Sequence, residues 1–258
     1  MLKRRWSRQL LETLGIHLKL GAGEAAQRAS IPAGLVVANH ISWLDIFVIN
    51  ALTPAAFVSK DDVARWPLIG WLCANTETIF LERGSRAAAQ RTRETMIAAL
   101  RAGRHVTVFP EGTTSGGECV LPFHAALFQG AIDAGVPVVP LALRYVDRAG
   151  RPSRAPAYDG EITLWQTLQA MARASGLTAQ VRVLAPLASM AADRRQLSAS
   201  CREAIAWHLG HAAPDAAVIA SPLATPTDRR ASGTRADLPD APPSDCLPTD
   251  SPNPAPAA

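Results

Sequence analysis

The chain has 258 residues, of which 48% are hydrophobic, so it can bury a large core. Aromatic residues make up only 5%, too few for the stacking platform that binds single-stranded nucleic acid. No apolar run approaches the roughly 18 residues of a membrane-spanning helix. The four cysteines lack the spacing of a zinc site, so we expect no metal. The net charge of +4 predicts an anionic partner.

The first segment of the chain predicts a short amphipathic helix. Trp6, Leu10 and Leu14 recur every four residues, behind a basic run at residues 3–5. One interpretation is a helix that packs on the body of the protein. The other is a basic and aromatic helix that rests on a bilayer. The pattern leaves both open.

Strand-like and helix-like segments then alternate along the chain. The predicted strands are Ile16–Leu20, Leu35–Ala38, Ala55–Ser59, Thr78–Leu81, His105–Phe109, Val136–Tyr145 and Val181–Leu184. The predicted helices are Ser42–Leu52, Asp61–Cys73, Ser85–Arg101, Pro122–Ala134, Trp165–Ser175 and Arg194–Leu209. Asp193 is the expected N-cap of the last helix, with Gly210 beyond its end.

This alternation predicts an α/β fold: a single domain with a mixed, mainly parallel central sheet flanked by helices. Residues 1–30 hold the basic helix and the first strand, and residues 31–211 form the main domain. Residues 212–258 contain half of the 20 prolines and no aromatic residue. Such a tail buries too little apolar surface to offset its ordering entropy, so we expect it to be disordered.

The first motif with chemistry is Asn39-His40-Ile41-Ser42-Trp43-Leu44-Asp45, directly after an apolar strand. Ligands usually bind beyond the strand ends of an α/β sheet. A histidine there can take a proton near neutral pH, and a nearby carboxylate would fix its tautomer. A structural alternative is a capping box, with Ser42 as N-cap and Asp45 reaching back to its amide.

Two further motifs also follow predicted strands. The loop at residues 109–117 is rich in Gly, Ser and Thr, whose amides and hydroxyls suit a polar headgroup or an oxyanion. Glu111 within it would be costly to bury without a partner or substrate. Arg83 follows the strand Thr78–Leu81, where a guanidinium can bind a phosphate. The loop at residues 109–117 could instead be a plain turn that closes the strand. The basic residues after Arg83 could simply form the solvated face of a helix.

A fourth motif is Val136-Pro137-Val138-Val139-Pro140. Each proline removes a ladder donor, so the pattern is typical of a sheet edge or a bulge. The strand could also form a wall beside a reacting carbonyl.

In this order and spacing, the motifs resemble the four blocks of the glycerolipid acyltransferase family. Its first block, Asn-His-x4-Asp, is matched by Asn39, His40 and Asp45. Its second, Gly-x-x-Phe-Ile-x-Arg, is matched at Phe80 and Arg83.

The third block, Phe-Pro-Glu-Gly-Thr-Arg-Ser, is matched by residues 109–113 and Ser115. The fourth, Val-Pro-x-x-Pro, is matched at Val136, Pro137 and Pro140. The resemblance covers about residues 30–190.

The resemblance implies that a fatty acyl group moves from a thioester, of acyl carrier protein or coenzyme A, to a lysolipid hydroxyl. His40 is then the general base and Asp45 orients it. The acceptor is held by a set of residues around them: Arg83, Glu111, Gly112, Thr113 and Thr114. No bound cofactor is implied. We expect the oxyanion donor to be a backbone N–H near Val136–Val139.

Two departures from the family pattern concern the acceptor. Position 77 is Glu rather than Gly, and position 114 is Thr rather than Arg. Loss of the arginine weakens recognition of a bare phosphomonoester. The default acceptor is 1-acylglycerol-3-phosphate, and a lyso-ornithine lipid is the alternative that Thr114 favours.

Other classes of function stay open at this point. A lipid esterase or thioesterase would need a serine nucleophile, and no Gly-x-Ser-x-Gly elbow is present. A non-catalytic lipid binder would use the basic body alone. For the acyltransferase we expect a peripheral protein at the cytoplasmic face of the inner membrane, without a spanning helix.

Overall fold

The computed structural model describes residues 2–21, 31–60, 78–81, 86–174 and 176–211. Seven strands within these ranges form one sheet. They are β1 Ile16–Leu20, β2 Leu35–Ala38, β3 Ala55–Lys60, β4 Thr78–Leu81, β5 His105–Val108, β6 Val138–Val146 and β7 Leu177–Val183. The order across the sheet is β1-β7-β6-β2-β5-β3-β4.

Only β6 and β7 pair antiparallel in this sheet, and every other neighbouring pair is parallel. Six α-helices of the described residues flank it: α1 Leu2–Thr13, α2 Asp45–Leu52, α3 Arg86–Arg101, α4 Gln129–Ala134, α5 Leu164–Ala174 and α6 Arg194–Leu209. The predicted single α/β domain with a mixed, mainly parallel sheet is confirmed.

The sheet has an apolar core on each face, because successive strand residues point to opposite faces. In β2, Val36 and Ala38 pack with α1, α2 and α5, whereas Leu35 and Val37 pack with α3, α4 and α6. Strands buried on both faces read as continuous apolar runs, which is why β2 stood out in the sequence.

The predicted helix over Pro122–Ala134 is wrong in its first half. Residues 121–124 are not helical, Ala125–Phe128 is a 3₁₀ turn, and α4 begins only at Gln129. The segment is instead held extended, with His124 at φ −72° and ψ 100°, and two of its amides tie it to the loop after β5. The Leu121 N–H donates to Glu111 Oε2 at 3.0 Å, and the His124 N–H donates to the Pro110 carbonyl at 2.8 Å.

The proline-containing strand β6 is central, so of the interpretations left open for its prolines, the sheet edge is wrong. It lies between β2 and β7. Pro140 is tolerated because it sits where the pairing with β7 begins: Leu184 N–H donates to its carbonyl at 2.9 Å, and the ladder register starts at Leu141. Strand β7 begins four residues before its predicted start, with alternating buried residues Leu177, Ala179 and Val181.

Helix α1 packs on the body of the protein, as one of its two interpretations expected. Trp6 meets Phe47 of α2 edge-on, with ring centroids 5.5 Å apart. Arg4 Nε donates to the Ala51 carbonyl at the end of α2. At the other end of the chain, Asp193 caps α6 as predicted, its side chain accepting two amide hydrogen bonds.

Asn39 fastens the end of β2 to β6. Its side chain is buried and makes two hydrogen bonds of 2.9 Å to Leu143, donating to the carbonyl and accepting from the N–H. These bonds continue the ladder beyond the last residue of β2. The turn that carries the next residue, His40, therefore starts from a fixed point.

We predict that Asn39→Ala destabilises the fold by about 2–4 kcal/mol, because it leaves two buried backbone groups of Leu143 unpaired. Asn50→Ala is the matched control. That asparagine is equally buried but accepts only one hydrogen bond, from the Ala55 N–H, so we expect a loss of about 1 kcal/mol. Urea unfolding of both variants measures the difference, and equal losses would contradict the role given to Asn39.

Candidate active site

Two loops and one helix meet at the carboxyl ends of β2 and β5, which are adjacent and parallel. Asn39 and His40 follow β2, and Phe109 follows β5. Helix α2 begins at Asp45, only five residues after His40. The sequence motifs that follow these two strands therefore share one edge of the sheet, as predicted.

His40 is a partly exposed ring held in one orientation. Its Nδ1 lies 2.8 Å from Asp45 Oδ2, and its side chain is 19% exposed. The ring stacks on Phe109, with centroids 3.9 Å apart and planes 12° apart. Because the carboxylate accepts the Nδ1 proton, Nε2 carries the lone pair that can take a proton from a ligand.

Asp45 is fully buried and its two oxygens accept four hydrogen bonds. Oδ2 accepts from His40 Nδ1 and from the amides of Ile41 at 2.7 Å and Ser42 at 3.0 Å. Oδ1 accepts from the Tyr145 hydroxyl at 2.7 Å. A buried carboxylate is tolerated when its oxygens are satisfied in this way.

The capping alternative for this turn is half correct. Asp45 does reach back to the amide of Ser42. Ser42 is not the N-cap, however, because α2 begins three residues later and Leu44 occupies that position. The Asp45 carboxylate therefore accepts hydrogen bonds both from the turn amides and from the His40 ring.

Tyr145 is the site residue that the sequence motifs missed. It lies near the end of β6, one hundred residues after Asp45, and is only 2% exposed. Burial, with the charge and hydrogen bond of Asp45, raises its pKa well above the usual 10. The hydroxyl therefore stays protonated and donates. A polar hydroxyl in an otherwise apolar strand end was the only available signal.

Glu111 is buried beside His40 and binds its backbone. It is 5% exposed, and its Oε1 accepts from the His40 N–H at 2.7 Å while Oε2 accepts from the Leu121 N–H. Burial raises its pKa to about 8, against the opposing effects of these amides and of Arg202. The Ser115 N–H donates to the His40 carbonyl at 2.9 Å, so the loop after β5 holds both sides of that residue.

The other predicted acceptor-binding residues have different placements. Gly112 adopts a left-handed φ of 71°, and a Cβ there would lie 3.0 Å from the His124 ring, so glycine is required. Thr113 is exposed, and the Thr114 hydroxyl donates to the Tyr158 carbonyl. Arg83 lies outside the described residues.

The expectation of an oxyanion donor near Val136–Val139 is wrong. Val138 pairs with Leu35, the first residue of β2, so this segment lies at the opposite edge of the sheet from His40. The Val138 N–H is also taken by the Leu187 carbonyl at 2.9 Å.

The described residues contain neither a candidate metal site nor a candidate membrane-spanning helix. No group of three or more His, Cys, Asp or Glu side chains there could hold a metal ion. No helix in the described ranges is both long and apolar enough to cross a bilayer.

The fold and the site together define a class of protein: an α/β domain that presents a carboxylate-held imidazole at the strand ends. The chain belongs to the acyltransferase family. The family model described as Acyltransferase matches residues 17–144, which include His40, Asp45 and Glu111.

Curated relatives support the assignment. Lyso-ornithine lipid O-acyltransferase of Pseudomonas aeruginosa is 37% identical over 83% of this chain and 80% of its own length. 1-acyl-sn-glycerol-3-phosphate acyltransferase of Neisseria meningitidis serogroup B is 40% identical over 58% of each chain. The chain therefore spans little more than half of that second relative.

A solved structure shares the fold. The 1-acyl-sn-glycerophosphate acyltransferase PlsC of Thermotoga maritima superposes with a TM-score of 0.57. The match covers 81% of this chain and 77% of that chain, at 20% identity.

We predict that Tyr145→Phe lowers kcat for acyl transfer about tenfold, the cost of one charge-assisted hydrogen bond. The Asp45 carboxylate then loses the donor that holds its Oδ1, so it orients His40 less firmly. Steady-state kinetics of the wild type and the variant measure the loss. Tyr158→Phe, the same change at the chain's other tyrosine, is the control, since the bonds to Ile41 and Thr114 in the loops of the site are made by its backbone, which the substitution leaves in place. An unchanged kcat in Tyr145→Phe would contradict the role of the hydroxyl.

A second prediction concerns how the stability of the folded protein depends on pH through the ionisation of Glu111. Its folded pKa of about 8 lies above the ordinary 4.5, so the native state keeps a proton that the unfolded chain loses between these values. This contribution to stability is complete below pH 4.5 and is lost as the pH rises to about 8. The loss is up to about 1.4 kcal/mol per pH unit.

Glu111→Gln removes this titration. Thermal or urea unfolding at several pH values should show a shallower fall in stability for the variant than for the wild type. Parallel curves across the window would show that Glu111 ionises normally in the folded protein.

Proposed function

We propose that the protein is a lysolipid O-acyltransferase in which His40 is the general base. The observation that carries this proposal is the held imidazole: Nδ1 is bound to a buried carboxylate 2.8 Å away, and the ring remains partly exposed. Such a base contributes about 10²–10⁴-fold in rate.

The reaction follows from the available ring nitrogen. His40 Nε2 takes the proton of the lysolipid hydroxyl as that oxygen attacks the thioester carbonyl. Asp45 stabilises the imidazolium that forms. The tetrahedral intermediate then expels the thiolate, which takes the proton back from Nε2. The ester forms and the thioester breaks without an acyl-enzyme.

Direct transfer is favoured over an esterase or thioesterase triad by the placement of the nearby serines. Ser42 is fully buried, and its Oγ accepts from the Leu44 N–H at 3.3 Å. Ser115 is also buried, beside the backbone of His40. Neither side chain presents a nucleophile to Nε2.

The remaining site residues are assigned by the same argument. Glu111 acts through the His40 backbone, because both of its oxygens are occupied by amides. Gly112, Thr113 and Thr114 form the rim that an acceptor headgroup would meet. Arg83 would supply the positive charge for that headgroup.

The acceptor we favour is a lyso-ornithine lipid. The relative of that name matches most of the chain, and Thr114 provides no charge for a phosphomonoester. The second candidate is 1-acylglycerol-3-phosphate, because the relative named for it has the higher identity over its shorter match.

We further propose that the enzyme works as a peripheral protein at the cytoplasmic face of the inner membrane, where a lysolipid resides. The donor is an acyl thioester of acyl carrier protein or coenzyme A. We expect the protein to sediment with anionic lipid vesicles at low salt. Full recovery in the supernatant would contradict a bilayer-bound enzyme.

For the reaction itself, we predict that His40→Ala and Asp45→Asn each lower kcat at least 100-fold, since each removes the base or its correct tautomer. The measurement supplies one acyl thioester and a panel of lysolipids, and identifies the new diester by mass. His211→Ala, at an exposed histidine just beyond the end of α6, is the control.

Three outcomes separate the alternatives. A lyso-ornithine product supports the favoured acceptor, and phosphatidic acid supports the second. Release of free fatty acid without a new ester would indicate a hydrolase. Normal turnover by a folded His40→Ala variant would rule out the base.

A further inference from the structure

One part of the sheet is not covered by any helix of the described residues. Helices α3, α4 and α6 cover one face over β2, β5 and the first half of β6. Beyond them, β1, β7 and the end of β6 form two adjoining shallow depressions that share Lys19 and Gln180. We call this surface the basic sheet face.

The basic sheet face is strongly cationic. The basic residues that line it are His17, Lys19, Arg144, Arg148, Arg182 and His208. The one acid that lines the two depressions, Asp147, is already paired with Arg151 at 2.8 Å. Arg144 is held outward by Gln180, which accepts from its Nε at 2.8 Å.

The pattern of burial shows why these charges share one side. Along β7, Leu177, Ala179 and Val181 point into the core, so Gln180 and Arg182 point to the opposite face. In β1, Lys19 lies between inward-facing neighbours and pairs in register with Gln180. Charge is thus concentrated on a sheet face that no helix of the described ranges covers.

We infer that the basic sheet face docks an acidic protein, namely the carrier that delivers the acyl group as a thioester. This inference rests on the proposed function and adds to it the class of donor. Complementary charge steers association and fixes orientation. Three permanent cations on three neighbouring strands, Lys19, Arg144 and Arg182, and Arg148 in the turn after β6 match a partner with an acidic surface.

Two other anionic occupants fit less well. A coenzyme nucleotide binds best in a concave pocket with convergent polar groups. Here the cations lie across strands about 4.8 Å apart. A bilayer surface is engaged by exposed apolar residues together with cations. The large exposed apolar side chains of the described ranges are Leu2, Ile162, Trp165, Met190 and Trp207, and none of them lines this face.

The position of the face suits delivery to His40. Arg144 directly precedes Tyr145, whose hydroxyl touches Asp45. Strand β7 is two places from β2 in the sheet, a lateral distance of about 10 Å. The flexible arm that holds the thioester on a carrier docked here would reach His40 by passing around the strand ends of the sheet.

The test is a double charge reversal, Lys19→Glu with Arg182→Glu, in the full chain. The first readout is kcat/KM with hexadecanoyl-acyl carrier protein against hexadecanoyl-coenzyme A. The second is anisotropy of a fluorescently labelled acyl carrier protein. We expect at least a tenfold loss of kcat/KM for the carrier thioester, through KM, and a tenfold weaker Kd. Turnover of the coenzyme A thioester should stay within twofold.

The matched control reverses Arg173 and Arg195 on α5 and α6, two exposed arginines away from this face, with the same change in net charge. Equal effects of the two pairs, an equal loss with the coenzyme A thioester, or loss of vesicle binding alone would overturn the inference. If the wild type transfers acyl groups from no thioester, the proposed function fails. The anisotropy measurement still decides the docking surface.

Discussion

The structure of the site depends on one buried carboxylate. Asp45 would be costly to enclose without partners, and four donors from two parts of the chain bind it: the His40 ring and two amides of the turn before α2, and the hydroxyl of Tyr145 from β6. Each bond stabilises the charge and restricts the carboxylate. The orientation of His40 follows from this constraint.

A second carboxylate fixes the backbone of the same histidine. Glu111 accepts from the His40 N–H, and the Ser115 amide holds the carbonyl on the other side. Arg202 of α6 supports this arrangement from behind, since it donates to the carbonyls of Val120 and Leu121 at 2.7–3.1 Å. The orientation of the His40 side chain is therefore fixed by Asp45 at the start of α2. Its backbone is fixed by Glu111 and Ser115 in the loop after β5. This rigidity suits a base that must meet a mobile lipid hydroxyl.

Much of this arrangement could be predicted from the sequence, because parallel strands place the residues that follow them on one edge. The continuous apolar run of β2 and the predicted strand that becomes β5 identified that edge, and His40, Asp45 and Glu111 lie there. What the Glu111 side chain binds could not be predicted from the sequence, since a carboxylate at a strand end can bind either a ligand or a backbone amide. Tyr145 was missed because its partner is one hundred residues away and its strand reads as plain core.

The errors share a physical cause. Residues 122–124 were expected to start a helix at Pro122, but tertiary bonds from this segment to Glu111 and Pro110 hold the backbone extended at His124. The prolines of β6 indicated an edge, yet the missing donor of Pro140 falls where the ladder with β7 has not begun. In both cases the outcome is decided by partners distant in sequence.

The central claim is that His40 carries its proton on Nδ1 and leaves Nε2 as the base. Nitrogen-15 NMR of histidine-labelled protein, with His40 assigned through a His40→Gln variant, measures the tautomer directly. The account predicts that the neutral ring is the Nδ1–H form, with a low-field proton that disappears in Asp45→Asn. An Nε2–H form in the wild type would contradict it, because the nitrogen facing the lipid would then have no lone pair to accept a proton.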